Sequence, residues 1–227
     1  MSQTVSEFVF FRVKPSVKPE DPSSEEGDAL MSVFRNIKHY SGYQSSAWGR
    51  SAEDPNTIVW VVDWTDARGS VNAHQLDRFL APDNAQPPAA LHTTLNPPIS
   101  STDTLAKNPV TELCMLGFPS SMPAAETKQL FADLINFRTT LVEQLPQATG
   151  PRSWAMGHVD RPSLLQHAKS PSGQAVMHLL AVGWESVEAH KKAKETQEFV
   201  QSIAPIREKM LPPVPGLEMK HVSFQKL

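Results

Sequence analysis

Apolar residues alternate or recur at helical spacing in the same order in two parts of the chain. In the first part, alternation predicts strands over residues 7–13, 43–50, 57–64 and 89–95. Apolar residues three and four positions apart predict a helix over 28–40, and Ser70 is expected to cap a short helix that ends near residue 80. The predicted order is strand, helix, strand, strand, helix, strand.

The second part repeats this order, with strands predicted over residues 110–118, 152–158, 175–184 and 217–225. Pro123 is expected to open the first helix, and Ser186 to cap the second. On the second helix we expect Val200 and Ile203 to be buried and Pro205 to end the helix. The first helix is expected to bury an apolar face made of Leu130, Leu134, Phe137 and Leu141, widened by Phe131, Ile135 and Val142.

A stretch rich in Pro, Ser and Thr over residues 97–109 predicts a linker between a first half, 1–96, and a second half, 110–227. The order β-α-β-β-α-β is that of the ferredoxin-like motif, whose antiparallel sheet carries its helices on one face. Two such sheets placed face to face would cover each other's bare side. We therefore predict an α+β fold of two ferredoxin-like repeats, packed sheet to sheet as a single-chain pseudo-dimeric α/β barrel with a cavity between the sheets.

One motif occurs in both halves. In each copy a strand ends in Trp, a small capping residue follows, and Ala-His opens a helix. The gap between Trp and Ser is longer in the first copy, so the first copy departs from the pattern. The matched residues are Trp64 with Trp184, Ser70 with Ser186, and His74 with His190.

With this motif, the chain resembles the dimeric α/β-barrel superfamily, and most of all its antibiotic-biosynthesis monooxygenase-type branch in a tandem form like those found in fungi. Members of that superfamily include cofactor-independent monooxygenases of aromatic polyketides, cyclases, haem-degrading enzymes and ligand-binding proteins without known catalysis. The resemblance thus implies a role in secondary metabolism, but fold alone does not fix function.

Composition narrows the classes of partner. The formal net charge of the 227 residues is −3, with acidic and basic residues interspersed, which argues against nucleic acid and against a polybasic membrane anchor. The single cysteine, Cys114, excludes an intrachain disulfide and a cysteine-cluster metal site. No apolar run approaches the ~20 residues of a membrane helix. We expect a cytoplasmic protein with no cofactor or metal, whose sheet edges could still pair two chains as a homodimer.

His178 and His221 are the candidate catalytic residues. His178 lies within an apolar strand, where the first half has Ile58, so the two halves differ at that position. A single active site would produce such a difference, whereas a satisfied core histidine is the alternative. His221 lies in the last predicted strand and could line the same cavity.

Other side chains are candidates for substrate binding. Arg50 could bind an enolate or phenolate oxygen, and His158 is its counterpart in the second half. His74 and His190 could stand at the cavity mouth, but because both halves keep the histidine, the pattern favours a structural role. Aromatic walls or core anchors are expected of Trp60, Trp64 and Trp184.

Together these features favour a small-molecule tailoring enzyme that acts on an aromatic or polyketide-like substrate. A histidine would act as general acid or base, in cofactor-independent monooxygenation or in cyclisation or dehydration. The alternatives are a non-catalytic ligand-binding or stress-related barrel, and a haem-binding barrel with His178 or His221 as the iron ligand.

Overall fold

The computed structural model describes residues 4–82, 87–97 and 101–227. Residues 1–3 and 83–86 of the predicted first half, and 98–100 of the predicted linker, lie outside these ranges. Short 3₁₀ turns over Ile37–His39 and Ala73–Phe79 follow α1 and β3. The first half contains β1 (Val5–Arg12), α1 (Glu25–Asn36), β2 (Tyr43–Arg50), β3 (Thr57–Trp64) and β4 (Ala89–Thr93).

The second half has the same order with three differences: a short added hairpin strand, a divided last helix and a divided last strand. A π-turn over Thr140–Gln144 extends the long helix α3. Helix α2 (Ser101–Lys107) lies between the halves, within the predicted linker of residues 97–109. The elements are β5 (Val110–Pro119), α3 (Ala124–Thr139), β6 (Ser153–Arg161), β7 (Leu165–Gln166), β8 (Gln174–Trp184), α4 (Val187–Lys194), α5 (Gln197–Arg207), β9 (Lys220–Val222) and β10 (Gln225–Lys226).

The strands form one curled antiparallel sheet of ten strands in the order β10-β2-β3-β1-β4-β6-β8-β5-β9, with β7 beside β8. The halves meet where β4 pairs with β6. They meet again at the segment 220–226, where β9 pairs with β5 and β10 pairs with β2. A bridge between Ser51 and Val222 joins the same two edges. We call this second junction the seam.

The space between the two sheet faces is a packed apolar core. Phe8 and Phe10 of β1 meet Leu179 and Ala181 of β8 in one buried cluster that draws on both halves. The cavity expected between the sheets is therefore filled, because side chains of alternate parity from every long strand interdigitate there. Open volume in the second half lies instead on the outer face of the sheet, beneath the helices.

Each outer sheet face is covered by its own helices. In the first half, Leu30 and Phe34 of α1 pack on Trp60 of β3. In the second half, α3 and α5 cover β5 and β8 through a separate cluster that includes Phe137 and Phe199. The structure thus has three apolar layers, one inside the curled sheet and one beneath each set of helices.

Three local predictions about the helices are wrong. Phe131, Ile135 and Val142 are exposed by 45%, 62% and 41%, so they do not widen the buried face of α3. Val200 is 49% exposed, because the predicted last helix divides at Thr196, which caps α5 and changes the direction of that face. Pro205 lies inside α5 instead of ending it.

Ser70 does not cap the turn that follows β3. That cap is Asn72, whose side chain accepts from the backbone N–H of His74. Ser186 does cap α4, as predicted, by accepting from the N–H of Ala189. No helix in the described ranges has the length and apolar character needed to cross a membrane.

Candidate functional site

Four titratable side chains lie in a row across the seam, and we call them the acid–histidine cluster: Glu53, His221, His190 and Glu112. Glu53 Oε1 is 2.6 Å from His221 Nδ1, and His221 Nε2 is 2.7 Å from His190 Nδ1. His190 Nε2 faces Glu112 Oε2 at 3.4 Å, a longer contact than the other two. The row runs from a carboxylate that is 41% exposed to one that is 13% exposed.

Four different elements hold this row in place. Glu53 lies in the turn between β2 and β3, where its Oε2 accepts from Ser51 Oγ at 2.7 Å and from the backbone N–H of His221 at 2.9 Å. His221 lies on β9, and Glu112 on β5. His190 lies in α4, whose start is fixed by the Ser186 cap.

Trp184 orders the inner end of the row. Its indole ring stacks on the His190 imidazole, with centroids 4.8 Å apart and 18° between the planes. Its Nε1–H donates to Glu112 Oε2 at 3.0 Å. Trp184 thereby fixes both members of the Glu112–His190 pair, and the histidine cannot rotate without losing the stacking contact.

Burial and neighbouring bonds set the protonation of the cluster. Burial raises the pKa of Glu112 to about 7. Burial, helped by the nearby charge of His221, lowers the pKa of His190 to about 3. Burial alone would raise the pKa of Glu53, but the hydrogen bonds from Ser51 and His221 outweigh it and lower that pKa to about 2. Near pH 7 the outer carboxylate is therefore ionised, His190 is neutral, and Glu112 exchanges its proton readily.

The inner end of the row opens into a cavity of about 150 Å³ beneath the helices of the second half. We call it the second-half cavity. Burial raises the pKa of Cys114, in its wall, to about 12, so this thiol is a poor nucleophile. Half-buried Lys194 and exposed Arg207 mark the side where the cavity reaches the surface. Its apolar walls include Phe137, Leu141, Trp154, Leu180, Phe199 and Ile203.

The first half has a matching carboxylate in a saturated environment. In β1, Val5 pairs with Trp64 and Glu7 lies two residues on; in β5, Val110 pairs with Trp184 and Glu112 lies two residues on. Glu7, however, accepts three hydrogen bonds, from Trp64 Nε1, Ser70 Oγ and the N–H of Val71, at 2.9, 3.1 and 2.9 Å. The Glu7 side chain is therefore fixed by three donors and has a structural role.

The longer gap after Trp64 explains the difference between the halves. It brings Gly69 against the Trp64 ring, so closely that a Cβ on that glycine would fall 2.3 Å from a ring atom. In the second half the ring of the matched tryptophan stacks on His190. A backbone segment therefore takes the place of an imidazole in the first half.

The two histidines matched by sequence are not equivalent in space. The His74 side chain is 91% exposed and lies 3.3 Å from Asp77, whereas the His190 side chain is 2% exposed. The inference that both have one structural role, because both halves keep them, is therefore wrong. The structure instead brings His190, His221 and Trp184 together, three of the predicted site residues.

His178 lies apart from this group. It shares its strand face with Leu180 and Val182, and that face points to the helices, not into the space between the sheets. Its ring is 5.9, 5.7 and 5.2 Å from those of Phe118, Phe131 and His158. Burial, helped by the charge of His158, lowers the pKa of His178 to about 4, so it is neutral at pH 7.

The remaining predicted substrate-binding residues have structural contacts. Arg50 is tied to Glu20 by a bond of 2.9 Å and also donates to the Val17 carbonyl, which fixes the loop before α1. Trp60 is fully buried against Phe34, with ring centroids 4.6 Å apart. Trp64 is equally buried and bonded to Glu7, as described above.

Glu112 and Glu53 are absent from the residues predicted from sequence. A signal for Glu112 was present, because a carboxylate inside the apolar strand Val110–Pro119 is costly to bury without a partner. Glu53 gave no such signal, since it stands in a polar turn and meets His221 only through a contact between residues 168 positions apart. Within residues 4–82, 87–97 and 101–227, no group of three or more His, Cys, Asp or Glu side chains is arranged to hold a metal ion.

Solved structures with the same fold cover almost the whole chain. A candidate chlorite dismutase aligns with a TM-score of 0.60 and 10% identity over 98% of this chain and 95% of its own. An anthrone oxidase-like protein aligns with a TM-score of 0.58 and 10% identity over 100% of this chain and 92% of its own. A candidate monooxygenase from Fusobacterium nucleatum subsp. nucleatum aligns with a TM-score of 0.54 and 11% identity over 100% of this chain and 93% of its own.

These likenesses establish a ferredoxin-like α/β-barrel fold. At identities of 10–11% they establish the fold alone. No protein-family model matches the sequence, and no curated protein matches it.

Proposed function

We propose that the protein is a small-molecule enzyme whose acid–base pair is Glu112 and His190 at the wall of the second-half cavity. The observation that carries this proposal is a buried carboxyl group with a pKa of about 7 facing a neutral imidazole beside apolar space. General acids and bases work best when their pKa lies near the working pH. The saturated Glu7 of the first half shows that the fold does not require this arrangement.

The cavity defines the substrate class. An apolar cavity of about 150 Å³ has room for one benzene-sized ring. Ligand pockets for larger molecules run to ~300–1,000 Å³, so a polycyclic substrate would enter by one ring only. Lys194 and Arg207 at the mouth favour a substrate that carries or develops negative charge. The proposed substrate is therefore an apolar aromatic molecule with a weakly acidic C–H or phenolic group.

The first step would be proton removal by the Glu112 carboxylate. The resulting carbanion or enolate would cyclise or eliminate, or it would reduce dioxygen. In the oxidative case a methylene carbon becomes a carbonyl, one oxygen atom enters the product and the other leaves as water. The anthrone oxidase-like and monooxygenase names of two structural neighbours support the oxidative case as a proposal.

Oxygen uptake and product mass with a panel of enolisable aromatic ketones test this assignment. We expect Glu112→Gln to lower turnover by roughly 10²–10⁴-fold, the usual contribution of a general acid or base. Glu188→Gln, a matched change at an exposed position of α4, should leave turnover unchanged. Equal activity of wild type and Glu112→Gln would remove Glu112 from the chemistry.

A second, non-catalytic candidate is a groove of about 430 Å³ beside His178, bordered by Phe131, Ile135 and His158. Within the described part of the chain, no group makes a hydrogen bond to the His178 ring. We propose that an apolar molecule with one polar group would bind there, with His178 as its hydrogen-bond partner. Chemical-shift changes on adding phenol, lost in His178→Phe, would support this candidate.

Haem is a poor fit to these histidines. Both ring nitrogens of His221 are already hydrogen-bonded, so neither is free to bind iron. His178 lacks, within the described residues, the partner that normally orients a metal-binding imidazole through its second nitrogen. Neither residue has the surroundings of an axial haem ligand.

We also propose that the two halves arose by duplication into a pseudo-dimer. The supporting observation is the shared register, in which Glu7 and Trp64 occupy the positions of Glu112 and Trp184. Each tryptophan donates its Nε1–H to its own glutamate. After duplication, one carboxylate would have become saturated while the other kept an imidazole partner.

A further inference from the structure

We propose that His190 and His221 form a proton relay that carries the substrate's proton from Glu112 to the surface at Glu53. This inference rests on the proposed function, since it concerns the fate of the proton that Glu112 removes. Substrate binding and proton abstraction do not require Glu53 or His221. The relay gives these two residues the task of moving the proton outward. The proton would leave through the seam, while the substrate enters from the opposite side, past Lys194 and Arg207.

The hydrogen bonds define where each proton lies before transfer. Ionised Glu53 can only accept, so His221 donates its Nδ1–H to it. Before transfer His221 is taken as neutral, which leaves its Nε2 as an acceptor. His190 therefore donates its Nδ1–H to His221 Nε2 at 2.7 Å. The free Nε2 of His190 then faces Glu112, which complements a protonated carboxyl group at 3.4 Å.

Transfer moves the Glu112 proton outward by two links. The Glu112 proton passes to His190 Nε2 while the His190 Nδ1 proton passes to His221 Nε2, so His190 becomes the Nε2–H tautomer and His221 becomes an imidazolium. The His221 Nδ1–H stays bonded to ionised Glu53, and the proton reaches water at this exposed carboxylate. Glu112 is again an ionised base that accepts a hydrogen bond from His190.

The surroundings favour this direction. The contact between His190 and Glu112 is long, as such contacts often are before substrate binds, whereas the other two links are already short. Lys194 of α4 borders the cavity and favours an ionised Glu112, while the Cys114 thiol is neutral. Arg207 of α5 borders the same cavity. At the outer end, Lys220 of β9 is bonded to the Glu218 carbonyl and lies 3.5 Å from its carboxylate, so Glu53 is the anion that faces His221.

Among the described residues, Glu7 of the first half has no equivalent route. His92 lies 3.5 Å from Glu7, but its ring is bonded to Arg161 and to the Gly69 carbonyl. A guanidinium cannot accept a proton in a protein, so the row ends at a fixed cation. In the described part of the chain, the outward path through two imidazoles starts from Glu112 and not from Glu7.

Imidazole ¹⁵N chemical shifts of the unmodified protein between pH 5 and 9 test the relay without any substrate. After transfer we expect the Nε2–H tautomer of His190 to occur together with a doubly protonated His221, and both signals to disappear together as the pH rises. Glu112→Gln has no proton to pass on, so this coupled change should be absent. A wild-type His190 whose tautomer does not change, or changes independently of His221, would overturn the relay.

Kinetics give a second test that separates the relay from the proposed function. Glu53→Gln keeps an acceptor for His221 but removes the charge, so we expect kcat to fall about tenfold or more with KM unchanged, and its pH profile to shift. Equal profiles would overturn the relay. If no enolisable aromatic ketone is turned over while His190 and His221 still change together, the proposed function fails and the relay stands as a property of the fold.

Discussion

Replacing Glu112 by Gln should change how the stability of the protein depends on pH. In the folded state the pKa of Glu112 is raised from an ordinary value of 4.5 to about 7. The folded protein therefore holds this proton more tightly than the unfolded chain does, and stability falls as pH rises between those two values. Glutamine has no proton to lose, and its oxygen can take the place of Oε2, which accepts from Trp184.

The magnitude follows from the difference in pKa. Each tenfold change in proton affinity corresponds to about 1.36 kcal/mol. Relative to its value well below pH 4.5, the free energy of unfolding of the wild type is therefore lower by roughly 1 kcal/mol at pH 5 and by roughly 3 kcal/mol at pH 8. The lowered pKa of His190 acts only below its ordinary value of 6.5 and affects both proteins alike, so it largely cancels. The free energy of unfolding of Glu112→Gln, relative to that of the wild type, should therefore rise by about 2 kcal/mol between pH 5 and pH 8.

Urea unfolding followed by tryptophan fluorescence at both pH values measures this difference. Glu188→Gln is the matched control and should track the wild type at each pH. Glu7→Gln should be destabilised at both values, because three donors point at a carboxylate that an amide cannot replace. A free-energy difference between Glu112→Gln and wild type that is the same at pH 5 and pH 8 would refute the raised pKa, and with it the acid–base assignment.

Two further predictions concern the apolar layers and a helix cap. Trp60→Phe should lower the free energy of unfolding by about 1–3 kcal/mol less than Trp64→Phe does. Among the described side chains, Trp60 Nε1 is buried without a partner, whereas Trp64 Nε1 is bonded to Glu7. Equal losses in denaturant titrations would contradict this. Ser186→Ala should lower the free energy of unfolding by about 1 kcal/mol through loss of the α4 cap, while Ser186→Thr should retain most of it, and an unchanged midpoint for the alanine variant would show that the cap is dispensable.

Strands were the part of the fold most accessible from the sequence. The predicted bounds of β2 and β3 agree with the structure, because alternation is strong where each face has its own apolar layer. Alternation could not say which face of β8 meets the helices, since Leu179 and Leu180 are equally apolar neighbours. His178 was therefore assigned to the wrong side of the sheet.

The candidate site was only partly predictable from the sequence. Matching His74 with His190 assumed that equal order in sequence means equal position in space. The residues added after Trp64 let Gly69 pack on the tryptophan, which leaves His74 in solvent. Glu53 could not be identified at all, because only the closing of the sheet brings the β2–β3 turn to His221.

That closing gives the acid–histidine cluster a place in the order of folding. The Glu53–His221 contact spans 168 positions, and contacts of such separation form slowly because a long loop must close first. Glu53 leaves the ribosome long before its partner, and the cluster stays incomplete until β9 docks between the two halves. An opening of the seam would thus separate Glu53 from His221 and also withdraw Val222 and Phe224 from the inner apolar layer, so the finished cluster marks completed assembly of the barrel.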